Sequence, residues 1–213
     1  DIYDFDLNAA KNELIGDGWI LNASGDAFEE GKDTVRHKEI DGQLVPLHIE
    51  WAVSENSGAA KTLQGLILGP LAAAGFEVNV TELPYAQLLA HYYRQAERTY
   101  DMFFLATNFP HVFDPYLTYS TDETYQGYPN TSGLKDETLE ALALSMRRTQ
   151  AGAAEDYLAK WYAFQEYWVR ALPTVPIYSN AYYDFYRTDL VDYAPNTHWS
   201  WAASILYAHL EVS

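Results

Sequence analysis

Leu7, Ala10, Leu14 and Ile15 recur at helical spacing behind Asp6, whose carboxylate suits an N-cap, and Gly18 closes the run. The pattern predicts a short first helix. Asn22 to Gly42 is polar and rich in Gly, Asp and Glu, and reads as an irregular loop or β-ribbon ending in the turn dipeptide Asp41-Gly42. Leu44, Val45, Leu47, Ile49, Trp51 and Val53 then alternate with Pro46, His48, Glu50 and Ala52, the signature of a half-buried strand. Ala59–Ala74 follows as a helix with Leu63, Leu66, Ile67 and Leu71 on one face, a kink expected at Gly69-Pro70, and Gly75 as its stop. Phe76, Val78 and Val80 alternate as a strand, Tyr85–Arg94 returns to helix, and Tyr100–Thr107 is an apolar run that fits a buried strand. Strand, helix, strand, helix, strand is the order of an α/β sheet with helices on its faces and some parallel pairing.

Asn108 to Gly133 is rich in Pro, Tyr, Thr, Asn and Asp and has no clear period, so a long loop is expected there; loops of that length are usually functional. Two helices come next. Asp136–Arg148 turns Leu139, Leu142 and Met146 inward, and Ala153–Arg170 aligns Tyr157, Trp161, Phe164 and Trp168 on one stripe. Pro173 ends the pair, Thr174–Tyr178 and Tyr183–Arg187 read as strands, and the segment from Tyr193 onward has no assignable period. The chain has no internal repeat and no evident linker, so 1–213 is expected to form one domain.

Composition narrows the function classes. Only 13 Lys and Arg stand against 30 acidic residues, a net charge of −17, and this argues against nucleic acid and anionic membrane surfaces, which need clustered cations. The absence of Cys removes disulfides, thiolate metal sites and Cys nucleophiles. Aromatics reach 15%, with 18 Tyr, suited to half-wet surfaces as well as to core. No stretch approaches the ~20 apolar residues of a membrane span. The opening Asp1-Ile2-Tyr3 has neither an initiator Met nor a leader, and the expectation is a piece of a longer protein.

Catalytic signatures are missing. There is no Gly-x-Ser-x-Gly elbow, Walker loop, dinucleotide fingerprint or His-Glu-x-x-His helix. The six His are scattered without metal-ligand spacing, and His111 stands alone in a loop, so no metal and no cofactor are expected. Sequons at Asn22, Asn79 and Asn130 would matter only in a eukaryotic secreted protein. Asp114 and Glu50 are the carboxylates that a rival reading, an acidic carbohydrate-active hydrolase, would use as acid and base.

Several segments then fall into a familiar order. Asp6–Leu14 running into Asp17-Gly18-Trp19, Asp41-Gly42 before Pro46–Val53, Ala74-Gly75-Phe76 with Val78–Val80, Tyr100-Asp101-Met102, Phe113-Asp114-Pro115-Tyr116, Asn130-Thr131-Ser132-Gly133 and Leu172–Tyr178 resemble, in order, the C-terminal lobe of family-5 extracellular solute-binding proteins of ABC importers, the oligopeptide and dipeptide group. The resemblance covers essentially the whole chain. It implies one lobe of a periplasmic-binding-protein type II fold, with a mixed β-sheet and helices on both faces, and an N-terminal lobe absent from this chain. It further implies a receptor that closes over a peptide or other small polar solute, periplasmic or extracellular and possibly lipid-anchored, and delivers it to an ABC permease.

Ligands of such sheets sit at the carboxyl ends of the strands. The expected wall is therefore Trp51 and Ser54, Ala106, Thr107, Asn108 and Phe109, with Tyr125 and Asn130 from the 125–133 loop. Asn108 or Thr107 would hydrogen-bond a polar ligand. Phe109 and Trp51 would either stack on a sugar ring or apolar side chain or pack the core. Peptide-binding members carry a carboxylate for the peptide's α-amino group on the loop that corresponds to Ala106–His111, and this sequence has no acid there before Asp114.

Overall fold

The computed structural model describes residues 3–107, 113–181, 183–196 and 199–211. They divide into two compact units, one of 1–108 with 114–171 and one of 109–113 with 172–213.

The first unit opens on helix α1, Leu7–Gly16, capped by the Asp6 carboxylate, which accepts from Asn8 N and Ala9 N at 2.9 Å each. An antiparallel ribbon follows, β1 (His37–Ile40) on β2 (Gln43–Pro46). Its turn, Asp41-Gly42, holds both residues at positive φ, 52° and 75°, the two-residue hairpin conformation that matches strand twist. The expected single strand from Leu44 to Val53 is divided at Leu47, where the chain changes partner. Leu47 N donates to Arg36 O of the ribbon at 2.7 Å, while Leu47 O accepts from Glu77 N at 2.9 Å.

Beyond that switch β3, His48–Ser54, is the middle strand of a parallel sheet in the order β4-β3-β5. β4 (Glu77–Leu83) pairs along its whole length, from His48↔Glu77 to Ser54↔Leu83. β5 is only Met102–Phe103, set against Trp51 and Ala52, with Asp101 N and Phe104 N extending the ladder onto Glu50 O and Ala52 O. Parallel neighbours need crossovers, and helices supply both. α2, Gly58–Ala74, starts at the Ser57 cap, continues through Pro70 and stops at Gly75, φ 101°. It lays Leu63, Ile67 and Leu68 on Ile49, Trp51, Val53, Val78, Val80, Met102 and Phe104. Leu66, expected on that face, is exposed. α3, Tyr85–Tyr92, ends in Tyr92, whose ring meets Phe103 at 5.6 Å on the opposite face of the sheet. The fold class is thus α/β with helices on both faces. In this unit the main sheet is parallel and the ribbon is antiparallel.

α4 (Glu137–Arg147) and α5 (Ala154–Ala171) complete the unit and pack together, burying Leu139, Ala143 and Met146 of one and Phe164 of the other. Asp136 caps α4 through Thr138 N and Leu139 N and also accepts from Tyr167 Oη at 2.9 Å, tying the two helices. In the second unit, the expected strands Thr174–Tyr178 and Tyr183–Arg187 are not strands among the described residues. The pairing there is β6 (Leu190–Val191) with β7 (His209–Leu210), the short helix α6 (Trp201–Ser204) lying between them in sequence.

Candidate ligand-binding site

Because β3, β4 and β5 are parallel, their carboxyl ends lie at one end of the sheet. Glu55 N donates to Leu83 O at 2.9 Å and holds the β3 and β4 exits together. Asn56 turns the chain at φ 60°, and Ser57 Oγ then accepts from Ala60 N at 3.2 Å to start α2. The result is a rim in which Ser54 is half-buried and Glu55, Asn56, Ala106 and Thr107 are exposed. Among the described residues, the side chains of Glu55, Asn56 and Thr107 have no partner, so their hydrogen-bonding capacity faces solvent. Ser54, Ala106 and Thr107 lie on this rim. Asn108 and Phe109, with His111, lie outside the described residues.

Trp51 and Asn130 are interior residues. Trp51 is 1% exposed and sits on the face of β3 that α2 covers, so it packs the core and lines no open surface. Asn130 is 0% exposed and spends its hydrogen bonds on its own loop. Its Nδ2 donates to Ser120 O (2.9 Å) and Leu134 O (3.1 Å), and its Oδ1 accepts from Ser132 Oγ (3.0 Å) and Gly133 N (2.9 Å). Two donors and two acceptors exhaust an Asn side chain and leave none for a ligand.

Nor does the 125–133 loop join the rim. Tyr125, half-buried, closes a 3₁₀ turn, Glu123–Tyr125, and accepts from Asn130 N. The loop is fastened to the segment that leads from α3 to β5: Arg98 NH1 donates to Thr131 O and Ser132 O at 2.8 and 2.9 Å, and Arg94 NH2 to Ser132 O at 3.3 Å. A helix between parallel strands runs back along the sheet, so this end of α3 lies toward the amino end of β5, away from the rim. Arg94 and Arg98 organise the loop, a role that their sequence positions do not announce. The signal for them is two arginines, four apart, in the short polar segment between a helix and the next strand.

The amino end of the sheet is polar and self-contained. His48 sits between two carboxylates, its Nε2 2.7 Å from Glu50 Oε1 and its Nδ1 3.0 Å from Glu77 Oε2. Hydrogen bonds to Glu50 and then Glu77 raise the His48 pKa above the usual imidazole value. Donation from Asn79 and from His48 lowers that of Glu50. A cleft of about 460 Å³ opens near the same end between Lys11, Phe28, Glu30, Asp33, Ala73 and Phe76. Its charges are already used: Lys11 pairs with Glu30 at 3.1 Å, and Asp33 accepts from Glu29 N at 2.8 Å.

The two carboxylates of the hydrolase reading are also engaged. A general acid needs a raised pKa, and that of Glu50 is lowered. Asp114 Oδ2 accepts from Arg147 at 2.6 and 2.8 Å, the guanidinium lying over the Tyr116 ring. Among the described residues no group of three or more His, Asp or Glu could hold a metal ion, and no helix is long and apolar enough to cross a membrane.

No protein-family model matches the sequence, and no curated protein matches it. Solved structures do. The oligopeptide-binding protein of Thermus thermophilus, complexed with a pentapeptide, superposes on 91% of the chain with a TM-score of 0.68 and 20% identity. The chain has the fold of one lobe of a periplasmic binding protein. The lobe also superposes on the oligopeptide-binding protein AppA of Bacillus subtilis, in complex with a nonapeptide, over 80% of its length (TM-score 0.65, 13% identity). NikZ of Campylobacter jejuni, in complex with Ni(L-His), matches 81% of it (TM-score 0.58, 16% identity). In each case the lobe spans about a third of the similar chain: 33%, 31% and 32%.

Proposed function

We propose that this lobe is one wall of the solute-binding component of an ABC importer, which captures a peptide or other small polar solute outside the cytoplasmic membrane and hands it to a membrane permease. The observation that carries the proposal is the superposition of nearly the whole lobe on a third of a peptide-bound oligopeptide-binding protein. The open rim at the carboxyl ends of β3 and β5 supports it, since ligands of such sheets bind there. In this reading the protein is not an enzyme. It works by closing two lobes on the solute, each supplying part of the contacts. Ser54, Ala106 and Thr107, with Asn108 and Phe109, form this lobe's contribution, and Trp51 packs the core beneath β3.

The polar groups of the rim support a solute with an amine or a neutral polar group. Asp114 is held by Arg147, so the loop after β5 offers no free carboxylate before it. Glu55, exposed at the adjacent exit, is the acid that takes an amine. Thr107 serves a neutral polar group. A full-length receptor screened by thermal shift against di- to pentapeptides, oligosaccharides and nickel–histidine tests the assignment. A true ligand at a hundred times its Kd adds about 2.7 kcal/mol of stability and raises Tm with concentration. No rise with any of the three classes would remove the assignment.

A further inference from the structure

The chain that leaves the rim at Thr107 is fastened from Asp114 onward, and what it is fastened to is the α4–α5 pair. Tyr119 Oη accepts from Trp168 Nε1 at 2.6 Å, and the hydroxyls of Ser120 and Thr121 donate to Glu140 at 2.8 and 2.7 Å. Ser120 is fully buried and Tyr119 half-buried, so these contacts hold the segment against its helices. The contact nearest the rim is of another kind. Asp114 Oδ2 accepts from Arg147 Nε at 2.8 Å and from Arg147 NH2 at 2.6 Å, Asp114 Oδ1 accepts from Tyr116 N at 3.2 Å, and the guanidinium lies 4.5 Å over the Tyr116 ring. The two side chains are 36% and 38% exposed, and an ion pair that open to water adds little to stability. It is nonetheless directional. Two N–H groups, a ring face and a backbone amide together fix the carboxylate, which a point charge such as that of Lys does not do.

We infer that Arg147 is a positioning residue for solute binding: by fixing Asp114 it pins the far end of the chain that leaves β5 at the rim. The inference rests on the reading of the carboxyl-end rim as the solute site. Residues 108–113 are all that separates Thr107 from Asp114. The near end of this connection is held by the ladder, where Phe104 N donates to Ala52 O at 3.3 Å. A connection pinned at both ends has fewer conformations to give up when a solute binds than one pinned at a single end. Arg147 therefore acts through Asp114, and its removal costs affinity while the buried contacts of Tyr119, Ser120 and Glu140 keep the fold.

Isothermal titration of the full-length receptor with each peptide, oligosaccharide or nickel–histidine that raises its Tm tests this. Arg147→Gln should weaken binding about tenfold and lower Tm by less than about 2 °C. Arg147→Lys keeps the charge, loses the fork and should stay weak. Asp114→Asn should weaken binding to a similar extent, and the double variant Asp114→Asn/Arg147→Gln should bind as Arg147→Gln does, because the two side chains act as one unit. Unchanged affinity in Arg147→Gln overturns the inference. So do losses that multiply in the double variant, since each side chain would then meet the solute by itself, and so does a fall in Tm of more than about 5 °C, which would make the pair a determinant of the fold. In all three cases the parent still binds and the receptor reading stands. A parent receptor that binds no compound of the three classes removes that reading, and this role with it.

Discussion

The two ends of the parallel sheet are built from the same strands and differ in what their polar groups do. At the amino end, His48, Glu50, Glu77 and Asn79 bind one another, and Arg94, Arg98 and Asn130 fasten the 125–133 loop. At the carboxyl end, Glu55, Asn56 and Thr107 are exposed and unpaired among the described residues. Polar groups that satisfy each other hold a fold, whereas groups left facing water are free for a ligand. The contrast supports the proposed ligand rim, and it makes opposite demands on substitutions at the two ends.

Asn130→Ala tests it hardest. Four hydrogen bonds of a fully buried side chain are lost and buried carbonyls are left unpaired, so urea unfolding should show a loss of about 3 kcal/mol. A loss below about 1 kcal/mol would mean the loop is held otherwise. Gly75→Ala comes next. Its φ is 101°, and an added Cβ would stand 2.5 Å from the Cγ of buried Arg36, so a loss of about 2 kcal/mol is expected from the same measurement.

His48 contributes less and in a pH-dependent way. Its folded pKa lies above the unfolded value of 6.5, so its stabilisation is complete below about pH 6.5 and is lost as pH rises through the folded pKa. Comparing Tm across that window, His48→Gln should flatten the fall seen in the parent protein. An equal fall in both would assign the pH dependence elsewhere. At the other end, Thr107→Ala should change stability by less than about 0.5 kcal/mol and Glu55→Gln should leave Tm unchanged, while both weaken solute binding by the full-length receptor. Stability losses matching that of Asn130→Ala would erase the distinction between the two ends.

Much of this was legible in the sequence where the signal is local. Asp6, Ser57 and Asp136 cap helices as their positions suggest, Gly75 ends α2, and Asp41-Gly42 turns the ribbon. The strand–helix alternation indicated an α/β sheet with some parallel pairing, and the sheet of β3, β4 and β5 is wholly parallel. Non-local choices were not legible. Alternation along 44–53 separates two faces but does not say which is covered, and α2 covers the face of Trp51. It also cannot reveal that Leu47 leaves one partner strand for another. Asn130 looked like a loop residue free to bind; that its four bonds close on Ser120, Ser132, Gly133 and Leu134 is a property of the folded loop. Strand-like composition at 174–178 and 183–187 is insufficient for a strand, because a ladder needs a neighbour.

The most direct test of the central claim is hydrogen–deuterium exchange of the full-length receptor with and without whichever panel compound gives the largest Tm rise. Binding at the carboxyl end predicts that amides of 54–57 and 104–107 slow on adding the compound, while those of 28–35 beside the amino-end cleft and of 125–133 do not change. Slowing confined to 28–35 or 125–133, with 54–57 and 104–107 unaffected, would contradict it.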